Sequence, residues 1–225
     1  MCQGRFDFAG LFSISFFNLG SKVIGSIISL KGIVDIFIPI GGKIMIQGDN
    51  VILKGLEPDD IKERHLWLND PEITNYFTNL SSIHLSRNDL EKWYENISQK
   101  KSQEIHFSIF TKEPKHIGGA QLKSIDWKNR NAELGIFIGD KSKWGKGFGT
   151  DATKSLIFFG FNELNLHRIW LKVDPENLAA LKCYQKTGFI QEGILREDVF
   201  RKGRFHDTII MSILANQVLR KVNEK

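Results

Sequence analysis

Trp144-Gly145-Lys146-Gly147-Phe148-Gly149-Thr150 is the stretch whose reading decides the fold. It lies between a run with strand character, Ala132 to Ile138, and a run with helix character, Asp151 to Asn162. Three glycines alternate with other residues where a strand hands over to a helix. Such a loop turns several backbone N–H groups toward one point. Those donors and the positive end of the following helix make a site for phosphate oxygens. An ordinary glycine-rich turn has the same composition, so the loop alone leaves its ligand open. A second segment, Asn177-x-x-Ala180-x-x-x-Tyr184-x-x-x-Gly188-Phe189, reads as a helix capped by Asn177 and stopped by Gly188. The two segments together are far more specific than either one.

The bulk numbers bound the answer. A chain of 225 residues holds one good-sized domain, or one domain with an extension. Its 41% hydrophobic and 25% charged content is that of a globular protein rather than a disordered or fibrous one. The net charge of +5 suits an anionic ligand such as a nucleotide and is too small to demand nucleic acid. Cys2 and Cys183 show no metal or redox spacing, and the histidines are scattered. The expectation is a reducing compartment, the cytoplasm, and no metal.

Residues 1–44 differ from the rest. They are rich in Ile, Phe, Gly and Ser and show neither clear helical nor clear strand periodicity. Val23 to Ile40 is apolar, but Lys31 and Asp35 interrupt it. One such charge in mid-span costs about 2.5–3.5 kcal/mol, which argues against a membrane helix. Only Arg5 supplies a basic start, Asp7 follows at once, and no small-residue cleavage site is evident, which argues against export. Gly41-Gly42-Lys43-Ile44-Met45 back-translates as a purine-rich ribosome-binding sequence, a spacer and a start codon. Residues 1–44 are therefore expected to be a translated leader or a disordered extension. Residues 45–216 are expected to form the domain and residues 217–225 a tail.

From Met45 the pattern is orderly. Met45 to Leu53 has strand character, and Glu57-Pro58-Asp59-Asp60 opens a helix that Asn69-Asp70-Pro71 ends. Ser86 caps a second helix, Arg87 to Ser98, with Leu90, Trp93, Tyr94 and Ile97 as its apolar stripe. Strands follow at Ile105 to Phe110, His116 to Ile125 and Ala132 to Ile138, with a turn at Asn129-Arg130-Asn131. A helix from Thr150, a strand from Arg168 to Val173 and the Asn177 to Thr187 helix come next. Phe189 to Phe200 and Arg204 to Ile213 form a hairpin around Lys202-Gly203. This order is that of one α/β domain with a mixed sheet.

On these residues, roughly Met45 to Leu214, the chain resembles the GNAT superfamily of acyl-CoA-dependent N-acetyltransferases. Val51-Ile52-Leu53-Lys54-x-Leu56-Glu57-Pro58-Asp59-Asp60 and Trp67-Leu68-Asn69-Asp70-Pro71 resemble its Rim-type branch, which acetylates ribosomal-protein N-termini. That branch has relatives acting on polyamines and amino sugars. Gly147 and Gly149 match the glycines of the family's pyrophosphate loop, and Trp144 stands at its first position, as elsewhere in that branch. The resemblance implies a mixed sheet of about seven strands flanked by helices, with a splayed central strand at the cofactor site. It also implies direct attack of an amine on acetyl-CoA in a ternary complex. The acceptor would be a protein N-terminus or a small amine; polyamines and nucleotide-linked amino sugars are the alternatives.

The resemblance distributes roles. Trp144, Gly145, Lys146, Gly147, Gly149 and Thr150 would cradle the pyrophosphate. Phe137 or Ile138 would aim a backbone N–H at the thioester oxygen, an interaction worth about 3 kcal/mol in a dry site. Asn177 would serve both as N-cap and as partner of the pantetheine arm. Tyr184 would protonate the leaving thiolate, because a phenol pKa of about 10 lies near that of an alkyl thiol. Packing as a core aromatic is its other reading. Glu133 is the candidate base, with an ion pair to Arg130 or Lys123 as the alternative. Asp70, Glu72, Tyr76, Phe77, Arg196, Asp198, Arg201 and His206 are candidates for the acceptor wall, each with an exposed structural role as its alternative. The acidic members favour a cationic amine and the basic members a phosphorylated one. No membrane partner is expected, and a pair of identical chains is one arrangement open to such folds. Phe200 and Phe205 interleave with Arg201, Lys202 and Arg204, a composition that also suits single-stranded RNA. A module that binds acetyl-CoA without turnover is the other rival, and it would be marked by loss of Tyr184 or of the loop.

Overall fold

The computed structural model describes residues 45–77, 84–99 and 103–218, and the backbone of four strands within residues 1–44. Those four are β1 (Arg5–Phe8), β2 (Phe12–Leu19), β3 (Lys22–Ser29) and β4 (Asp35–Pro39). They form an antiparallel meander whose last strand pairs with the strand that starts at Met45. The segment thus carries strands although its sequence shows no evident period. Residues 219–225, most of the expected tail, lie outside the described residues.

The domain proper opens with β5 (Met45–Gln47) and β6 (Val51–Gly55), then a short 3-10 turn (Pro58–Asp60), α1 (Ile61–Leu68) and α2 (Arg87–Gln99). Three strands follow: β7 (Ile105–Thr111), β8 (His116–Asp126) and β9 (Asn131–Ile138). The order then runs α3 (Phe148–Asn162), β10 (Arg168–Val173), α4 (Leu178–Thr187), β11 (Ile190–Arg201) and β12 (Arg204–Leu214). All strands join one sheet in the order β1-β2-β3-β4-β5-β6-β7-β8-β9-β10-β12-β11. From Met45 onward that is eight strands rather than about seven. The extra one appears because the run from Met45 to Leu53 is two strands joined by a turn at Gly48–Asn50. A carboxylate distant in sequence causes the turn. Asp151, buried in the first turn of α3, accepts the amides of Asp49 at 3.0 Å, Asn50 at 2.6 Å and Val51 at 3.0 Å.

Both faces of the sheet are covered. Leu156, Phe159 and Ala152 of α3 are buried in one core cluster with Leu53, Ile109, Leu122 and Ile169. Full burial of such a side chain contributes about 1.5–3 kcal/mol. Ile61, Leu68 and Leu90, from α1 and α2, form a second cluster with Trp93, Tyr94, Phe77 and Phe137. The hairpin turn expected at Lys202-Gly203 is present, with φ of +50° and +80°, the left-handed pair that two-residue hairpins favour. Among the described residues no helix is long and apolar enough to cross a membrane.

One pairing interrupts the sheet. β9 and β10 are parallel neighbours only over Asn131–Glu133 and Arg168–Trp170. Beyond them β9 stays with β8 as far as Ile138, and β10 stays with β12 as far as Val173. The two strands part from Leu134 on, which opens the centre of the sheet.

Candidate active site

The parted strands form one wall of a cleft of about 510 Å³. Leu134, Gly135, Ile136 and Phe137 line it from β9, and Val173, Asp174, Asn177, Ala180 and Tyr184 from the β10–α4 side. α1, α2 and β7 close the far end with Arg64, Trp93, Glu104 and His106. A larger opening of about 810 Å³, lined by Asp60, Trp67, His116 and Lys141 among others, shares no lining residue with the cleft. It lacks the splay and Tyr184, so the chemistry is placed in the smaller cleft.

The glycine loop at the start of α3 is tied to Ile138 and Cys183, the chain neighbours of the cleft-lining Phe137 and Tyr184. Gly145 and Gly147 have φ of +70° and +85°, the left-handed region that glycine enters without steric cost. A Cβ built on either would meet nothing within 4 Å. The glycines therefore serve backbone conformation and an open approach, not close packing. Gly147 occupies the N-cap position of the 15-residue α3, so the free amides of that helix face the loop. Trp144 is fixed differently from its expected part in the cradle: its indole N–H donates to the Ile138 carbonyl at 2.7 Å, fastening the loop to β9. Lys146 is exposed. Thr150 donates to the Cys183 sulfur at 3.5 Å, which ties the loop to the residue before Tyr184. Acetyl-CoA fits this arrangement, with donors and an open approach at one end and a strand gap for an extended arm at the other.

Backbone direction separates the two oxyanion candidates. The Gly139 amide donates to Ile117 on β8 at 2.8 Å, and the Phe137 carbonyl lies against Gly118, where a Cβ would approach to 2.2 Å. Peptide groups alternate sides along a strand. The amides of Gly139 and Phe137 thus face β8, and those of Ile136 and Ile138 face the gap. Phe137 contributes its ring to the cleft instead, edge-on to Phe77 at 5.9 Å.

Asn177 is the N-cap of α4, accepting from the Ala180 amide at 3.1 Å, and Gly188 closes the helix at φ +100°. Tyr184, between them, lines the cleft yet is 7% exposed and packs edge-on against Phe189 at 5.7 Å. Burial, and secondarily the neighbouring Cys183, push its phenol pKa well above the ordinary value. Glu133 also lines the cleft and is held by Lys123 at 3.0 Å.

The acceptor-wall candidates divide. Tyr76 and Phe77 line the cleft. Arg201 does not; it is 4% exposed, pairs with Asp174 at 2.6 Å and lies 5.6 Å from the Tyr76 ring, so it props the wall from behind. Glu72 and Asp70 both hold Lys141, at 2.6 and 2.7 Å, outside the cleft. The Lys141 hydrogen bond, with backbone amides, keeps the Asp70 carboxyl below its usual pKa. Arg196 is exposed on β11, where a register shift between Leu195 and Val199 turns Asp198 to Lys172 at 3.0 Å. His206 contacts the Arg201 carbonyl at 3.2 Å.

The sequence reading missed the far end of the cleft. Arg64 is buried, its guanidinium donates to the Phe107 carbonyl at 2.9 Å, and burial lowers its pKa to about 10. Glu104 and His106 touch at 3.0 Å, and the His106 ring lies edge-on to Trp93 at 5.2 Å. The signal was the two-residue spacing of Glu104, just before β7, and His106 within it, which puts both side chains on one side of an extended chain.

This geometry has counterparts. The profile of the acetyltransferase (GNAT) domain matches residues 50–190. An uncharacterized N-acetyltransferase, p20 of Bacillus licheniformis, is 34% identical over 172 residues, covering 75% of this chain and 95% of that protein. A spermidine N(1)-acetyltransferase of Vibrio cholerae is 32% identical over 175 residues, covering 78% of this chain and 99% of that protein. A crystal structure of spermidine N-acetyltransferase from Vibrio cholerae in complex with CoA and spermine aligns with a TM-score of 0.70 at 32% identity, over 75% of this chain and 98% of the other. The chain belongs to the GNAT acetyltransferase family. It is an acyl-CoA-dependent N-acetyltransferase with the family's mixed α/β fold.

Proposed function

We propose that the chain acetylates a primary amine of a small polycationic acceptor of the polyamine class, by direct attack in a ternary complex. The charge lining the cleft carries this reading. Asp89, Glu104, Glu133 and Asp174 line it together with Tyr184. Lys123 pairs with Glu133, Arg201 with Asp174 and Lys172 with Asp198, which leaves Asp89 and Glu104 against the single Arg64 guanidinium. Asp89 stays ionised because Ser86 donates to it from both hydroxyl and amide, which lowers its pKa. A dication gains from such a wall, and a phosphorylated acceptor is repelled.

Acetyl-CoA supplies the thioester. The amides at Gly145 to Thr150 hold its pyrophosphate, and Asn177 borders the gap that takes the pantetheine arm. The Ile138 amide is the donor for the developing oxyanion, of the two residues weighed for it. Tyr184, kept neutral by burial, donates its phenolic proton to the departing sulfur. Glu133 adds negative charge beside the thioester, with Lys123 fixing its position.

A thiol-release assay over four amine classes tests the acceptor: polyamines, peptide N-termini, amino sugars and nucleotide-linked amino sugars. Spermidine is expected to give the highest kcat/KM. A ribosomal-protein N-terminal peptide turned over faster than spermidine would replace this reading with the Rim-type one.

A further inference from the structure

We propose that Glu104 and His106 form a carboxylate–imidazole pair that accepts the proton of the incoming amine. This rests on the cleft being the acetyl-acceptor site. His106 of β7 pairs in register with Gln121 of β8, and Gln121 with Gly135 of β9. The three make one row that leads from the parted strand to the imidazole, two strand spacings or about 10 Å. All three line the cleft.

Hydrogen bonding fixes which nitrogen is bare. His106 Nε2 lies 3.0 Å from Glu104 Oε2. An ionised carboxylate only accepts, so Nε2 carries the hydrogen and Nδ1 keeps a lone pair. The side chain is 6% exposed, and Nδ1 is buried without a hydrogen-bond partner among the described residues. An acceptor buried without a partner is unfavourable, so a donor is expected there in the working complex.

The surroundings keep the ring neutral. Burial is the largest influence and lowers the His106 pKa; Glu104 opposes it, while Arg64 and Lys123 add to it. Asp89 and Glu133 line the same cleft, but Glu133 is committed to Lys123. A neutral imidazole with an oriented tautomer is the better proton acceptor.

The step balances. One ammonium proton passes along a short file of waters past Gln121 to Nδ1, and Glu104 stabilises the imidazolium. The freed nitrogen pair attacks the thioester carbon, a C–N bond forms and the C–S bond breaks. The sulfur takes the Tyr184 proton, and the second proton lost by nitrogen restores the phenol. His106 then releases its proton to solvent.

The test is the pH dependence of kcat/KM on the full chain with spermidine. Wild type should lose activity as pH falls through an apparent pKa at or below the ordinary His value of about 6.5. His106→Gln should abolish that limb and lower kcat about 100-fold, with acetyl-CoA affinity unchanged. Glu104→Gln removes the influence that raises the pKa, so the limb should move to lower pH. An unchanged profile in His106→Gln overturns the proposal. Should that variant not fold, nitrogen NMR of wild-type His106 decides. A bare Nδ1 that shifts when CoA and amine bind supports the proposal, and a hydrogen on Nδ1 overturns it. If wild type does not turn over spermidine, only the polyamine reading fails, and the same profile is read on whichever of the four amine classes is acetylated.

Discussion

The two halves of the cleft are built from different material. The cofactor half is backbone: positive-φ glycines, the amides at the start of α3 and the unpaired edge of β9. The acceptor half is side chains gathered from α1, α2, β7 and the β10–α4 turn. A backbone site needs particular residues at particular spacings, because glycine enters the required φ without the steric cost other residues bear. A side-chain site can be made from many residue types, and its geometry comes from contacts distant in sequence. On the proposed reading, the first half serves acetyl-CoA in general and the second is particular to the amine.

The largest effects should come from breaking the backbone half. Gly147→Asp places bulk and negative charge where φ is +85° and the surroundings are open to a phosphate. Acetyl-CoA Kd, by calorimetry, should rise more than about 100-fold, roughly 3 kcal/mol. Gly147→Ala should cost only the left-handed strain, about 1–2 kcal/mol, since its Cβ meets no neighbour. Equal losses in the two variants would show that charge plays no part and that the loop is misassigned.

Tyr184 stands between the halves. Tyr184→Phe should lower kcat about 100-fold and leave acetyl-CoA Kd unchanged; an undiminished kcat removes it from the mechanism. The sign of its pKa shift adds a check. Burial raises the phenol pKa, so the folded chain retains the proton above the ordinary value of about 10. The stability tied to this group is complete below pH 10 and is lost as pH climbs from there toward the raised value. An ultraviolet titration of the three tyrosines should leave one un-ionised until the chain unfolds.

A smaller effect tests how the backbone half is anchored. Asp151→Ala removes the acceptor of three amides in the β5–β6 turn. The expected cost is about 3 kcal/mol, seen as a fall in Tm of roughly 6–12 °C. An unchanged Tm would mean that the turn does not depend on α3.

That anchor also shows what the sequence could and could not reveal. Asn177 and Gly188 announced the ends of α4, and the loop glycines announced the start of α3, because caps and positive φ are local requirements. Met45 to Leu53 read as one strand because the carboxylate that turns it sits at residue 151. Arg201 read as an acceptor contact or an exposed structural residue, and not as a buried prop, because its partner Asp174 lies at the end of another strand. Glu72 read as wall because nothing local tied it to Lys141. His106 was read only as strand and Glu104 was given no role, since their meaning comes from Gln121 and Gly135 beside them.

The smallest effect concerns a region outside both halves. We propose that residues 1–44 are dispensable for acetyl transfer. Their last strand pairs with the domain along β5, through Asp35–Phe37 and Met45–Gln47. Among the described residues, none before Arg64 lines the cleft. The two sequence relatives are covered to 95% and 99% of their own lengths by three quarters of this chain or slightly more. Removing the meander leaves β5 as a three-residue edge, too short to template much further pairing, and the Asp151 clamp still holds the turn behind it. A chain from Met45 to Lys225 should therefore keep kcat/KM within about twofold of the full chain, by ordinary measurement scatter well under 1 kcal/mol. A tenfold loss with intact acetyl-CoA affinity would instead place the meander in the acceptor half, and the division drawn between the two halves would have to include it.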